Sequence, residues 1–349
     1  MRAADTTPIR PEERFDEAAV TRHLREALPD LVAEHPISYD QFPGGAANLT
    51  YRAVAGPVEL VLRRAPLGDV ARGGHDMARE HKVLSRLWRR FPQAPRAWHY
   101  CGDPSIMGKP FFVMERRQGH VVRDAWPAAF GEGAAARRRT AESLVETLAR
   151  LHRIDPADVG LSDLGRPEGF VSRQVEGWAA RWEDAKTRDV PDVGPVLDAL
   201  RGGVPEPQAS VVLHNDYKLD NTMLDDDGEV VAVFDWDMAT LGDPLVDLAT
   251  LVGYWADASD PTYLVFAERA VTLTPYMTKD EVVARYAAAA GFRLDDFEYY
   301  LGLAYFRIAV IIEQIFARYA RGQTTDARFA RYEALAPLLV AAARRVLAA

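Results

Sequence analysis

The sequence predicts an α+β chain of two unequal lobes, a small mixed β lobe followed by a larger, mainly helical one. Three observations carry this. The chain has 349 residues, about twice the length of a typical domain. Short runs with strand character crowd residues 37–64 and are separated by turns containing Gly and Pro. From about Gln118 onward, apolar residues recur at helical spacing. The expected boundary falls at 115–120, which gives lobes of 1–115 and 116–349.

Each element has a local reason. Val20, Leu24 and Leu28 are spaced to share one helical face, so Phe15 to Leu28 is expected to be a helix. Strands are expected at Ile37 to Phe42, Asn48 to Val54 and Val58 to Arg64, with a Gly- and Ala-rich turn before the second and Ala55-Gly56-Pro57 before the third. Met77 to Trp88 gathers Val83, Leu84, Leu87 and Trp88 on one side of a helix, and Phe111 to Met114 reads as a short buried strand. Thr140 to Arg153 places Leu144, Leu148 and Leu151 on one helical face. Strands follow at Ser210 to Leu213, Thr222 to Leu224 and Val230 to Phe234. The turn Asp225-Asp226-Asp227-Gly228 favours a hairpin between the last two. The chain from about Pro244 is mostly helix.

Composition narrows the function classes. Hydrophobic residues make up 48% and charged residues 27%, values that exclude wholesale disorder. Lys and Arg number 42 against 51 Asp and Glu, a net charge of −9, which argues against generic binding to nucleic acid or an anionic membrane. The single cysteine, Cys101, can form neither an internal disulfide nor a Cys-rich zinc site, and it suits a reducing compartment. The segment MRAADTTPIRPEERF lacks an apolar core of signal-peptide length. Leu301 to Ala317 is apolar but is interrupted by Arg307 and Glu313 and is short for a bilayer span. The expectation is a soluble, cytoplasmic protein.

The densest chemistry lies at His214-Asn215-Asp216-Tyr217-Lys218-Leu219-Asp220-Asn221, directly after an apolar strand, with Phe234-Asp235-Trp236-Asp237 at the end of the following hairpin. Phosphoryl transfer needs a carboxylate to orient the attacking hydroxyl, and a carboxylate and an amide to hold magnesium against nucleotide phosphates. An Asp and an Asn five residues apart on one loop, with a further Asp on the next hairpin, meet that need. Protein kinases use the same arrangement in their catalytic loop and D-F-G segment.

With these motifs the sequence resembles the aminoglycoside phosphotransferase family of kinase-like enzymes, in particular the branch found as stand-alone bacterial proteins and as domains fused to acyl-CoA dehydrogenases. The resemblance runs from about residue 40 to about 320 through GGAANLTYRA (44–53), VLRR (61–64), REHKVLSRL (79–87), FFVMERRQG (111–119), HNDYKLDN (214–221) and VFDWDMATLGDPLVDLA (233–249). It implies a protein-kinase-like two-lobe fold and dependence on ATP and Mg. It further implies that Asp216 is the catalytic base, and that Asn221 and Asp235 are magnesium ligands. Asp237 is either a further ligand or a partner of the loop backbone. His214 is expected to brace the loop, and Lys218 either contacts the transferred phosphate or faces solvent. Of Asp243 and Asp247, one is expected to cap the next helix and one to brace the loop.

Kinases place a lysine on the strand matched by VELVLRR, paired with a helix glutamate. Here Arg63 stands at the matching position, and Glu80 is its expected partner. Strand alternation puts Arg63 on the face of Val61 and sends Arg64 outward. An arginine stays charged and binds phosphate bidentately. Gly44, Gly45 and Asn48 are the candidate phosphate-covering turn, although two glycines between strands also suit a plain hairpin. The family usually has serine where Ala47 stands. Met114 to Gly119 matches the hinge, where backbone groups of Met114, Glu115 and Arg117 would meet a purine edge.

Tyr299, Tyr300, Tyr305, Phe306, Ile308, Ile312, Phe316 and Tyr319 make the C-terminal region aromatic and aliphatic. An aminoglycoside, being a polycation, asks for several exposed carboxylates, and the cluster Asp295, Asp296 and Glu298 is explained by a helix start alone. The branch resemblance implies a small-molecule acceptor that is hydroxylated and partly apolar, such as a hydroxyacyl-CoA thioester or related lipid. An aminoglycoside or macrolide O-phosphotransferase is the alternative, and a non-catalytic nucleotide-binding module a third. A protein kinase is disfavoured because no A-P-E segment follows Asp235.

Overall fold

β-Branched and aromatic residues around Tyr51, Val61 and Phe112 build a five-stranded antiparallel sheet in a computed structural model of the protein, which describes residues 5–43, 48–67, 76–123, 125–131, 133–255, 276–324 and 326–348. The strands are β1 (Ile37–Gln41), β2 (Leu49–Ala55), β3 (Val58–Arg64), β4 (Ala97–Cys101) and β5 (Phe111–Glu115), in the order β1-β2-β3-β5-β4. Arg63 lies opposite Phe112, and Val61 opposite Met114. The chain forms two compact units. The first takes in Met1–Gly119, Val159–Leu164 and Val231–Ala239, and the second His120–Asp158, Gly165–Val230 and Thr240–Ala349.

In the first unit, helix α1 (Glu17–Ala27) begins at Asp16, whose carboxylate accepts the Ala19 N–H. Its buried Val20 and Leu24 join Tyr51, Leu60, Leu62, Phe111 and Val113 in one apolar cluster, and each such side chain contributes about 1.5–3 kcal/mol. A short helix α2 (Pro29–Val32) follows. Helix α3 (Met77–Leu87), capped by Asp76, packs on β4 and β5. Strand β4 carries no clear alternation (Ala97-Trp98-His99-Tyr100-Cys101), and its register shifts between Ala97 and His99, which is why it escapes the sequence pattern. A one-turn helix, α4 (Pro104–Met107), precedes β5.

One facing is corrected. Arg64 does lie on the opposite side of β3 from Arg63, but that side is covered, and Arg64 is 1% exposed. Its guanidinium donates to the Tyr51 hydroxyl, the Met107 carbonyl and the Glu13 carbonyl, and lies over the rings of Tyr51 and Phe15. Strand alternation sets opposite faces; it does not say which face meets water.

The second unit is mainly helical: α5 (Ala134–His152), α6 (Phe170–Ala185), α7 (Gly194–Gly202), α8 (Leu245–Tyr254), α9 (Lys279–Ala290), α10 (Phe297–Ala320) and α11 (Tyr332–Leu347). Strand β6 (Val211–Leu213) pairs with β9 (Thr240–Gly242), and β7 (Thr222–Leu224) leads into the acidic turn before β8 (Val230–Val233), within which the chain passes to the first unit. The Asp225 carboxylate accepts the N–H groups of Asp227 and Glu229, and Gly228 takes a φ of 84°. A Cβ there would stand 2.6 Å from Thr140 Oγ1 on α5, so glycine is required twice over.

Helix α9 opens with a capping box between Thr278 and Glu281. Among the described residues, α10 is the one helix long and apolar enough to cross a membrane, yet 78% of its most apolar window is buried inside the protein. Its Glu313 is fully buried and pairs with Arg188 at 3.1 Å. The aromatic and aliphatic side chains of this region are thus largely helical core, with Tyr300, Tyr305, Phe306, Ile308, Ile312 and Phe316 buried.

Candidate active site

Two clusters collect the residues singled out above. In the second unit, β6 delivers the chain into a loop whose first residue, His214, is fully buried, with its Nδ1 3.3 Å from the Asp216 N–H that donates to it. The Asp216 carboxylate is one-quarter exposed. It receives the Lys218 ammonium at 2.8 and 2.6 Å and the Asn221 amide at 2.9 Å. Lys218 also lies over the Tyr254 ring at 5.0 Å. Burial works to lower its pKa, but Tyr254, Asp216 and Asp220 outweigh burial and hold it above the ordinary value. Tyr217, fully buried, anchors the loop by donating to the Leu144 carbonyl at 2.8 Å.

The two aspartates after the hairpin divide the expected tasks. Asp243 accepts the Leu245 N–H at 2.9 Å at the start of α8, and the Gln208 N–H at 2.8 Å. Asp247, fully buried on α8, accepts the N–H groups of His214 at 2.6 Å and Asn215 at 2.7 Å. Burial would raise the Asp247 pKa, but His152, His214 and these N–H groups hold it below the usual carboxylate range. Two further residues escape sequence reasoning. His152, at the end of α5, and Arg307, in the middle of α10, both reach this loop network. Arg307 was legible as an interruption of an apolar helix, but its target, the Asn215 carbonyl, was not.

In the first unit, Arg63 donates Nε–H to Glu80 at 2.9 Å and makes a close ion pair with Asp235 through Nη2. Glu80 is 1% exposed. Burial pushes its carboxyl up to about 7, with Asp235 and Asp237 adding to the rise and Arg63 opposing it. Burial disfavours the Arg63 charge, but the three carboxylates outweigh burial and hold its pKa above the ordinary value. Asp235 has a φ of 69°, an uncommon left-handed conformation for a residue other than Gly. The turn after it is pinned by Trp236, which is fully buried, donates Nε1–H to the Val233 carbonyl at 2.8 Å and meets Phe91 edge to face. Arg79 on α3 secures the same segment through the Ala239 carbonyl at 2.8 Å.

The remaining expected residues belong to the first unit or fall outside the described residues. Gly44 and Gly45 fall outside the described residues, and Asn48 is buried just before β2. Met114 and Glu115 end β5, and Glu115 pairs with Arg117 at 3.1 Å. Arg116 and Arg117 follow β5 directly.

Each cluster offers a hard oxygen donor of the kind magnesium takes: in the second unit the Asn221 amide nitrogen faces the Asp216 carbonyl and carboxylate, which leaves its oxygen clear of them, and in the first unit Asp235 has a partly exposed carboxylate.

The fold is that of the kinase-like phosphotransferases of small molecules, which act on hydroxyl groups. The model of the phosphotransferase enzyme family APH matches residues 38–298, and the chain belongs to that family. It is 30% identical over 335 residues to acyl-CoA dehydrogenase family member 11 of Gallus gallus, a match covering 92% of this chain and 42% of the relative. The chain thus spans about two fifths of that protein. Among solved structures, a candidate aminoglycoside phosphotransferase from Ralstonia eutropha is 26% identical, with a TM-score of 0.78 over 95% of this chain and 99% of the other. A spectinomycin phosphotransferase in complex with ADP and spectinomycin shares the fold at 12% identity, with a TM-score of 0.59 over 93% of this chain and 98% of the other.

Proposed function

We propose that the chain is an ATP- and Mg-dependent kinase that phosphorylates a hydroxyl of a partly apolar metabolite, with hydroxyacyl-CoA thioesters or related lipids as the acceptor class. The observation that carries this reading is the Asp216 carboxylate, partly exposed and held in place by Lys218 and Asn221. A carboxylate so placed accepts a hydrogen bond from the acceptor hydroxyl and takes its proton as the oxygen–phosphorus bond forms and the bond to ADP breaks. Arg63, paired with Glu80, supplies a fixed cation for nucleotide phosphates. Backbone groups at Met114, Glu115 and Arg117, where β5 ends, are the proposed contacts for a purine edge. Asn221 and Asp235 are the proposed magnesium ligands, and the ion would neutralise charge on the phosphates.

The relationship to acyl-CoA dehydrogenase family members agrees with an acyl-CoA-like acceptor. A screen with γ-labelled ATP, Mg and a panel of hydroxyacyl-CoA thioesters, hydroxylated lipids, aminoglycosides and macrolides tests the reading. Label transfer to the first two groups is expected. Transfer to the antibiotics alone, or to nothing while ATP still binds, would overturn it.

A further inference from the structure

The peptide units flanking Asn215 are gripped from both sides by buried charges. The Asn215 N–H donates to Asp247 Oδ1 at 2.7 Å, and its carbonyl accepts from Arg307 Nη2 at 2.8 Å. Between the two grips Asn215 holds a φ of 68°, a left-handed conformation that asparagine tolerates and most residues do not. Asp216 is the next residue, so the conformation at Asn215 sets the direction in which the Asp216 side chain leaves the backbone.

Both grips have supports of their own. Behind Asp247 stands His152, with Nε2 3.2 Å from Asp247 Oδ2 and Nδ1 2.5 Å from the Tyr286 hydroxyl on α9. A carboxylate only accepts, so Nε2 carries the proton. Nδ1 shares the remaining hydrogen bond with the Tyr286 hydroxyl, so a continuous chain runs from Tyr286 through His152 to Asp247 and meets the two loop N–H groups there. All three side chains are buried. On the other side, Arg307 is 5% exposed within an otherwise apolar helix and lies over Trp178 at 5.4 Å. A neutral donor would satisfy one carbonyl more cheaply than a buried guanidinium, because a charge removed from water is costly unless something nearby uses it. Burial lowers the Arg307 pKa, while Tyr254, Asp216 and Asp247 work in the opposite direction.

We propose that Arg307, His152 and Tyr286 are positioning residues: from α10, α5 and α9 they lock the Asn215 turn and thereby aim Asp216 at the acceptor hydroxyl. The proposal rests on the reading of Asp216 as the base.

The test uses the full chain and three variants, Arg307→Met, Tyr286→Phe and His152→Gln. Hydrogen–deuterium exchange of the segment 213–217 needs neither acceptor nor nucleotide. Exchange there should rise about tenfold in Arg307→Met and by less in Tyr286→Phe, with the rest of the second unit unchanged. With ATP hydrolysis by water as the reaction, kcat should fall about 10- to 100-fold, while KM for MgATP stays within about twofold. His152→Gln keeps an N–H donor for Asp247 and should retain most of kcat, whereas His152→Leu should not. If Arg307→Met does not fold, Tyr286→Phe, which removes one hydroxyl, decides the matter. Unchanged exchange at 213–217, uniformly raised exchange, or a loss carried by KM would overturn the proposal. A local rise in exchange in a parent that turns over no ATP with any acceptor would leave the lock standing and remove the kinase reading instead.

Discussion

Arg63 and Arg64 are adjacent, chemically identical and expected to fail in different ways when replaced. Arg63→Ala removes the cation paired with Glu80 and Asp235. It should raise KM for ATP and lower turnover with little loss of stability beyond what Glu80 suffers. Arg64→Ala leaves the Tyr51 hydroxyl and two carbonyls without their donor in a buried site. It should cost roughly 2–4 kcal/mol in urea unfolding and leave ATP affinity in the folded fraction nearly unchanged. Loss of affinity in both variants with equal stability would contradict this division. Glu80 makes a further prediction with a definite sign. Its folded pKa of about 7 lies above the ordinary 4.5, so the folded state binds the extra proton between those values. The contribution is fully present below about pH 4.5 and is lost as pH rises through about 7. Melting temperatures of the parent and Glu80→Gln, compared at pH 5 and pH 8, should therefore show the parent losing stability relative to the variant at the higher pH. A parallel pH dependence would exclude the raised pKa.

At the level of elements, what could be read in advance depended on how local the cause was. Strand β3 and strand β7 follow directly from apolar residues bounded by turns, and α3 from its spacing and cap. The Asp216 loop was visible because its residues are contiguous. The Arg63 and Glu80 pair came from the resemblance to kinases, with strand alternation deciding only between Arg63 and Arg64. Strand β4, with little alternation and a register shift, could not be seen that way. Neither could the buried position of Arg64, because the cover comes from Phe15 and Glu13, some fifty residues earlier in the chain. The same limit hid His152, Tyr286 and Arg307, whose partners are brought close by helix packing and leave no spacing to read. The acidic turn is the element most exposed to a single change. Gly228→Ala forces a side chain into positive φ and against Thr140 Oγ1, and it should destabilise the protein by about 1–3 kcal/mol. Chemical denaturation measures this, and a neutral effect would mean that the turn does not pack on α5 as described.

At the scale of the whole molecule, the residues singled out divide between the two units. The first holds Arg63, Glu80 and Asp235, and the second holds Asp216, Lys218 and Asn221. If Asn221 and Asp235 are the metal ligands, Asn221→Ala and Asp235→Ala should each weaken ATP binding in the presence of Mg, and the parent should bind ATP more weakly when Mg is chelated. Calorimetry with and without chelator measures both, and an ATP affinity indifferent to Mg in the parent would remove the assignment. The central claim, that Asp216 is the base of a phosphotransferase, is tested most directly by Asp216→Asn, which keeps the size and the hydrogen bond to Asn221 but cannot take a proton. The measurement is a pair: MgATP affinity by calorimetry, and turnover on the acceptor that the screen identifies. Turnover should fall about 10²- to 10⁴-fold with affinity nearly unchanged, and near-parental turnover would show that Asp216 is not the base.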